Sequence, residues 1–85
     1  MNDTTATFDS HLRAVLDGLL EPEVVDACMT RPDADWFELG LDSMRAFELI
    51  DLLAEDVGVE VDFGEFVRTP TLAWLREQAA GHAVA

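Results

Sequence analysis

The hydroxyl of Ser43 has the most particular setting of any side chain here that is able to do chemistry. It follows Leu39-Gly40-Leu41-Asp42 and precedes Met44, at the point where a loop ends and an amphipathic pattern begins. Asp42 is a candidate N-cap, since an Asp side chain accepts a backbone N–H two or three residues on. In most proteins an Asp-Ser pair at such a point does no more than cap. A cap alone, however, does not call for an apolar Met44 on the solvent side directly after the serine. Nor does it call for the acidic, partly apolar outer face that follows. The setting suits a hydroxyl that another enzyme reaches and modifies.

Nothing in the chain marks Ser43 as a catalytic nucleophile, and no catalytic residue is assigned. His11 and His82 are distant in sequence and read as surface or packing side chains, not as bases. Cys28 is the only cysteine, so an intramolecular disulfide or a multi-cysteine zinc site is excluded. It reads as a small buried hydrophobe. Asp33-x-Asp35 opens like a calcium loop but lacks the glycine at loop position 6 and the later ligands. No metal site is assigned.

The elements that must position Ser43 follow from hydrophobic spacing. Phe8, Leu12, Val15, Leu16 and Leu19 share one stripe, which predicts a helix over about 7–20. Pro22 interrupts it, and Glu23 to Met29 forms a short helical piece. Residues 30–35 are loop formers. Trp36, Phe37, Leu39 and Leu41 fold the long connection onto the core, and Gly40 allows the bend before the next helix. That helix is predicted over about 43–57, stopped by Gly58. Ala46, Leu49, Ile50, Leu53 and Val57 face inward. Met44, Glu48, Asp51 and Glu55 lie opposite, with Phe47 at the margin. After the linker Glu60-Val61-Asp62, a short helix is expected over about 63–68. Pro70 is expected in the first turn of a last helix, with Leu72, Leu75 and Ala79 inward and Gly81 at its end. The expected fold is all-α, a small bundle of three or four helices.

Composition agrees. The 85 residues have room for one domain, with an ordered core expected over about 7–81. A hydrophobic fraction of 49% suffices to pack it. Eighteen acidic residues against five basic ones give a net charge of −13. That field repels nucleic acid and anionic membranes and steers the chain toward basic patches on partners. The polar start Met1-Asn2-Asp3-Thr4-Thr5 does not resemble a secretory signal, and no apolar run reaches the length of a membrane span. The expectation is a monomeric cytoplasmic protein.

Trp36-Phe37-Glu38-Leu39-Gly40-Leu41-Asp42-Ser43-Met44 resembles the attachment signature of acyl and peptidyl carrier proteins. The likeness continues through Gly58-Val59-Glu60-Val61-Asp62-Phe63 to Thr69-Pro70-Thr71-Leu72-Ala73-Trp74-Leu75. It covers roughly residues 8 to 80, which suggests one discrete carrier domain over 1–85. The resemblance implies a 4′-phosphopantetheine arm, donated by coenzyme A, on Ser43, with Asp42, Leu41 and Gly40 shaping the site. It implies a phosphopantetheinyl transferase, an adenylating or acyl-loading enzyme, and downstream condensing or tailoring enzymes as partners. The carrier itself is then not an enzyme: a tethered substrate reacts at whichever enzyme has docked.

Gly40-Leu41-Asp42-Ser43-Met44-Arg45, Val61-Asp62-Phe63 and Pro70-Thr71-Leu72-Ala73-Trp74 are most similar to aryl and peptidyl carriers of nonribosomal peptide systems. Leu41 stands where peptidyl carriers often have a second glycine. Arg45 stands where fatty-acid carriers usually have an acidic residue. A polyketide or other acyl carrier is the alternative. An acidic helical adaptor without a prosthetic group is a further one, and it leaves both motifs as coincidence. Docking is expected at Met44 and Phe47, and at the acidic row Glu48, Asp51 and Glu55.

Overall fold

A computed structural model describes residues 4–84, with side chains for 7–81, and among these residues six helices and one wide π turn build the fold. In order they are α1 (Thr4–Asp17), α2 (Pro22–Thr30), α3 (Trp36–Leu39), α4 (Ser43–Leu52), α5 (Phe63–Arg68) and α6 (Leu72–Val84). The π turn, Leu53–Val57, continues α4. No strand occurs among the described residues. The all-α expectation holds.

Helix α1 is central, packing against α2, α6 and the α4–π-turn segment. Its inward residues Phe8, Leu12 and Leu16 are buried, as their spacing requires. They join Val25, Cys28, Trp36, Leu49, Leu53, Phe66, Leu72 and Leu75 in one core. Burial pushes the Cys28 thiol up to about 11, because the thiolate would lose its hydration. Arg76 on α6 grips both carboxylate oxygens of Asp9 on α1, at 3.1 and 2.6 Å, and so ties α6 to α1.

Several boundaries differ from the sequence reading. Helix α1 stops at Asp17, because residues 18–20 already turn toward α2 through Gly18 N–H···O Val15 and Leu19 N–H···O Leu16 bonds. Pro22 occupies the first turn of α2, where a missing N–H costs nothing. Trp36–Leu39, expected as folded-down loop, is a short helix capped by Asp35, whose side chain accepts from the Phe37 and Glu38 N–H groups.

Pro70 does not lie within the last helix. It is buried just ahead of it, with its carbonyl accepting the Trp36 N–H. Thr71 Oγ1 instead caps α6 by accepting from the Trp74 N–H at 3.1 Å. Nor does Gly81 end that helix, which runs on to Val84. A glycine lowers helical propensity but does not by itself unwind a helix. His82 lies outside the described side chains.

The second long helix is α-helical only to Leu52. From Leu53 the hydrogen bonds lengthen into the π turn, closed by Gly58 at φ 80° with its N–H on the Leu53 carbonyl. Leu53 is fully buried, while Ile50 and Val57 are half-buried at the core's edge.

Candidate functional site

Three devices fix the backbone that leads into Ser43. Gly40 adopts φ 130°, and a Cβ there would meet Val24 Cγ2 at 3.2 Å. Only glycine makes that bend without strain. Its N–H and that of Leu41 both donate to the Trp36 carbonyl. The Leu41 side chain is buried in the core, so its part in the site is to anchor the loop from below. Asp42 then caps α4: its Oδ1 accepts the Arg45 N–H at 2.9 Å.

The Arg45 guanidinium completes this arrangement. Its Nη1 reaches Asp42 Oδ2 at 2.9 Å, and its Nε donates to the Leu19 carbonyl at 2.7 Å. The Arg45 backbone N–H, and then its guanidinium, hold the Asp42 carboxyl below its ordinary range, since both favour the charged form. From sequence, Arg45 entered only the likeness to aryl and peptidyl carriers and the departure from fatty-acid ones. Its reach to Leu19, 26 residues away, has no local signal.

Ser43 is thus the first residue of α4 and is exposed. A phosphodiester on its hydroxyl would stand at a helix N-terminus, where the backbone dipoles favour an anion. The residues present therefore fit a 4′-phosphopantetheine arm. Among the described residues there is no cluster of three or more His, Cys, Asp or Glu side chains that could hold a metal. His11 is exposed on α1, on a groove of about 300 Å³ shared with Val15, Leu52, Asp56 and Val57.

The outer face of α4 is unusually apolar. Met44 is 78% exposed and Phe47 60% exposed. Phe47 stacks on Phe63, with ring centroids 4.0 Å apart and planes 4° from parallel; Phe63 packs at the core's edge, and Phe47 covers it from the solvent side. Val67, also exposed, stands one turn beyond Phe63 on α5 and extends the apolar surface. Neither Phe63 nor Val67 was placed on the docking face from sequence, although their i, i+4 spacing on a helix whose inward residue is Phe66 would have marked them. Glu48, Asp51 and Glu55 are all exposed. Glu55 lies inside the π turn, so it does not continue a regular α-helical row from Asp51.

The sequence matches the family model described as "Phosphopantetheine attachment site" over residues 12–77. The chain belongs to this family of phosphopantetheine-bearing carrier domains. No curated protein and no solved structure matches it significantly. Family membership makes it a non-catalytic carrier with a 4′-phosphopantetheine prosthetic group, served by a phosphopantetheinyl transferase and by loading enzymes. No described helix is long and apolar enough to cross a membrane.

Proposed function

We propose that Ser43 carries the arm, and that this carrier serves a nonribosomal-peptide type of pathway. In this reading it holds aminoacyl, aryl or acyl groups as thioesters for partner enzymes. The observation that carries the assignment is the exposure of Ser43 at the first residue of α4, after a loop pinned by Leu41 and capped by Asp42. The arm supplies the terminal thiol that bears the cargo. The chain's own residues present that arm and recognise the enzymes that act on it.

Support for the pathway comes from the likeness of the Ser43, Val61–Phe63 and Pro70–Trp74 segments to aryl and peptidyl carriers. The docking face proposed is Met44 and Phe47, bordered by Glu48, Asp51 and Glu55. Apolar side chains this exposed lower stability and solubility unless a partner covers them. The exposed carboxylates of Glu48, Asp51 and Glu55 suit a partner surface bearing Lys or Arg.

Intact mass after incubation with coenzyme A and a promiscuous phosphopantetheinyl transferase tests the attachment. Wild type should gain one arm and Ser43→Ala none; modification of Ser43→Ala would refute the assignment. Loading of the arm-bearing protein by a panel of adenylating enzymes and malonyl transferases tests the pathway. Aminoacyl or aryl loading is expected, and efficient malonyl loading alone would move the protein to the polyketide class.

A further inference from the structure

Two segments distant in sequence flank a groove of about 380 Å³ beside the attachment loop. Leu19, Leu20 and Val24 line one side and Gly40 the other. Arg45 bridges it. One end of its guanidinium takes the Leu19 carbonyl, the other takes Asp42 Oδ2, and its own backbone N–H takes Asp42 Oδ1. A single residue therefore engages both oxygens of the carboxylate next to Ser43 and fastens it to the turn that follows α1.

We propose that Arg45 is a positioning residue for the modification of Ser43, locking the loop at 40–42 to the turn at 18–20 so that the hydroxyl is presented in one conformation. The proposal rests on the reading of Ser43 as the attachment point. Leu41 already holds the loop from the core side. Asp42 and the first turn of α4 lie beyond that anchor, and these are what Arg45 holds. The planar guanidinium suits the task, since it places two donors at a fixed angle, whereas a lysine ammonium is a single point charge on a flexible stem. The Arg45 and Asp42 side chains are about half exposed, at 49% and 55%. An ion pair that open to water adds little to global stability, so its value here is local order. The hydrogen bonds of the Arg45 side chain go to Asp42 and Leu19, so it acts on Ser43 through Asp42.

Steady-state phosphopantetheinylation of full-length wild type, Arg45→Met and Arg45→Lys, with coenzyme A and a transferase, provides the test. It is paired with amide hydrogen exchange at residues 19–21 and 40–43 of the unmodified proteins. Apparent affinity falls by the fraction of molecules in the competent conformation, so Arg45→Met should raise KM for the carrier about five- to tenfold, with kcat near wild type. Exchange in both segments should quicken while the melting temperature stays close to wild type. Arg45→Lys should recover part of the KM. A wild-type KM in Arg45→Met would overturn the proposal. So would a raised KM with unchanged exchange, which would make Arg45 a direct contact of the transferase. Modification surviving in Ser43→Ala would remove the attachment reading, and this proposal with it, even if loop exchange responded to Arg45→Met; the two failures are thereby told apart.

Discussion

Phe47 and Phe63 stack ring on ring, 4.0 Å between centroids, although Phe47 is 60% exposed. The pair joins the outer face of α4 to α5 at the surface, while Phe66 anchors α5 in the core. Aromatic pairs contribute about 0.5–1.5 kcal/mol beyond area burial, and the solvent around this one places it at the low end. Phe47→Ala and Phe63→Ala should each lower stability modestly, and a double-mutant cycle by denaturant unfolding should return a positive coupling. Strict additivity would show that the stack contributes nothing to holding α5.

Docking should depend more on apolar contact than on charge. A methionine buried in a partner's pocket contributes about 1.5–3 kcal/mol, whereas an exposed ion pair contributes about 0–1 kcal/mol and weakens with salt. Met44→Ala should therefore slow loading by partner enzymes more than Glu48→Gln or Glu55→Gln. The deficit of the charge variants should shrink as salt is raised. Loading kinetics at two ionic strengths check this ranking. Normal loading of Met44→Ala, with a charge variant failing at high salt, would reverse it.

Leu53 is fully buried where α4 passes into the π turn. Leu53→Ala should cost about 2–5 kcal/mol through lost burial and the cavity left behind. For a domain of this size that is a large share of total stability. Thermal melts check it, and near-equal midpoints would mean the site collapses around the smaller side chain.

Gly40→Ala should destabilise by about 1–2 kcal/mol, because φ 130° is unfavourable for any side chain. The added Cβ also crowds Val24. Val24→Ala in the same chain relieves the crowding but not the backbone strain, so most of the loss should persist in the double variant. Full recovery would place the whole cost in the crowding.

Asp42 should titrate below the ordinary Asp value of about 3.9, held down first by the Arg45 N–H and then by its guanidinium. A carboxyl whose pKa is lower in the folded than in the unfolded chain stabilises the fold fully above the unfolded value. That contribution fades as pH falls through the folded one. The start of α4 should thus stay capped as pH falls through the ordinary Asp range, and loosen only below it. NMR titration of the Asp42 carboxyl and the Arg45 amide measures both. In Arg45→Met the pKa should rise but remain below the ordinary value, since the backbone N–H remains.

Much of this protein is legible in local sequence, because its decisive signals are local. The stripe Phe8–Leu12–Leu16 fixes the inner face of α1, and the 3.6-residue period leaves little choice in which side is buried. Asp42 announces a helix start, and Gly58 its stop, through side-chain and backbone chemistry confined to a few residues. The same holds for α5, whose start at Phe63 follows from the Asp62 cap.

Other features depend on residues that meet only after folding. The π turn replaces the last turns of a regular helix where Leu53 is buried and the segment packs on α1, and no periodic pattern encodes that. Pro70 carries a favourable signal for a first helical turn, yet the Trp36 N–H claims its carbonyl and the helix starts two residues later, beyond the Thr71 cap. Ser43 could be singled out by its neighbours. How firmly the loop before it is held could not, because that depends on Leu19, Val24 and Arg45, which the chain brings together only by packing α1, α2 and α4 around one core.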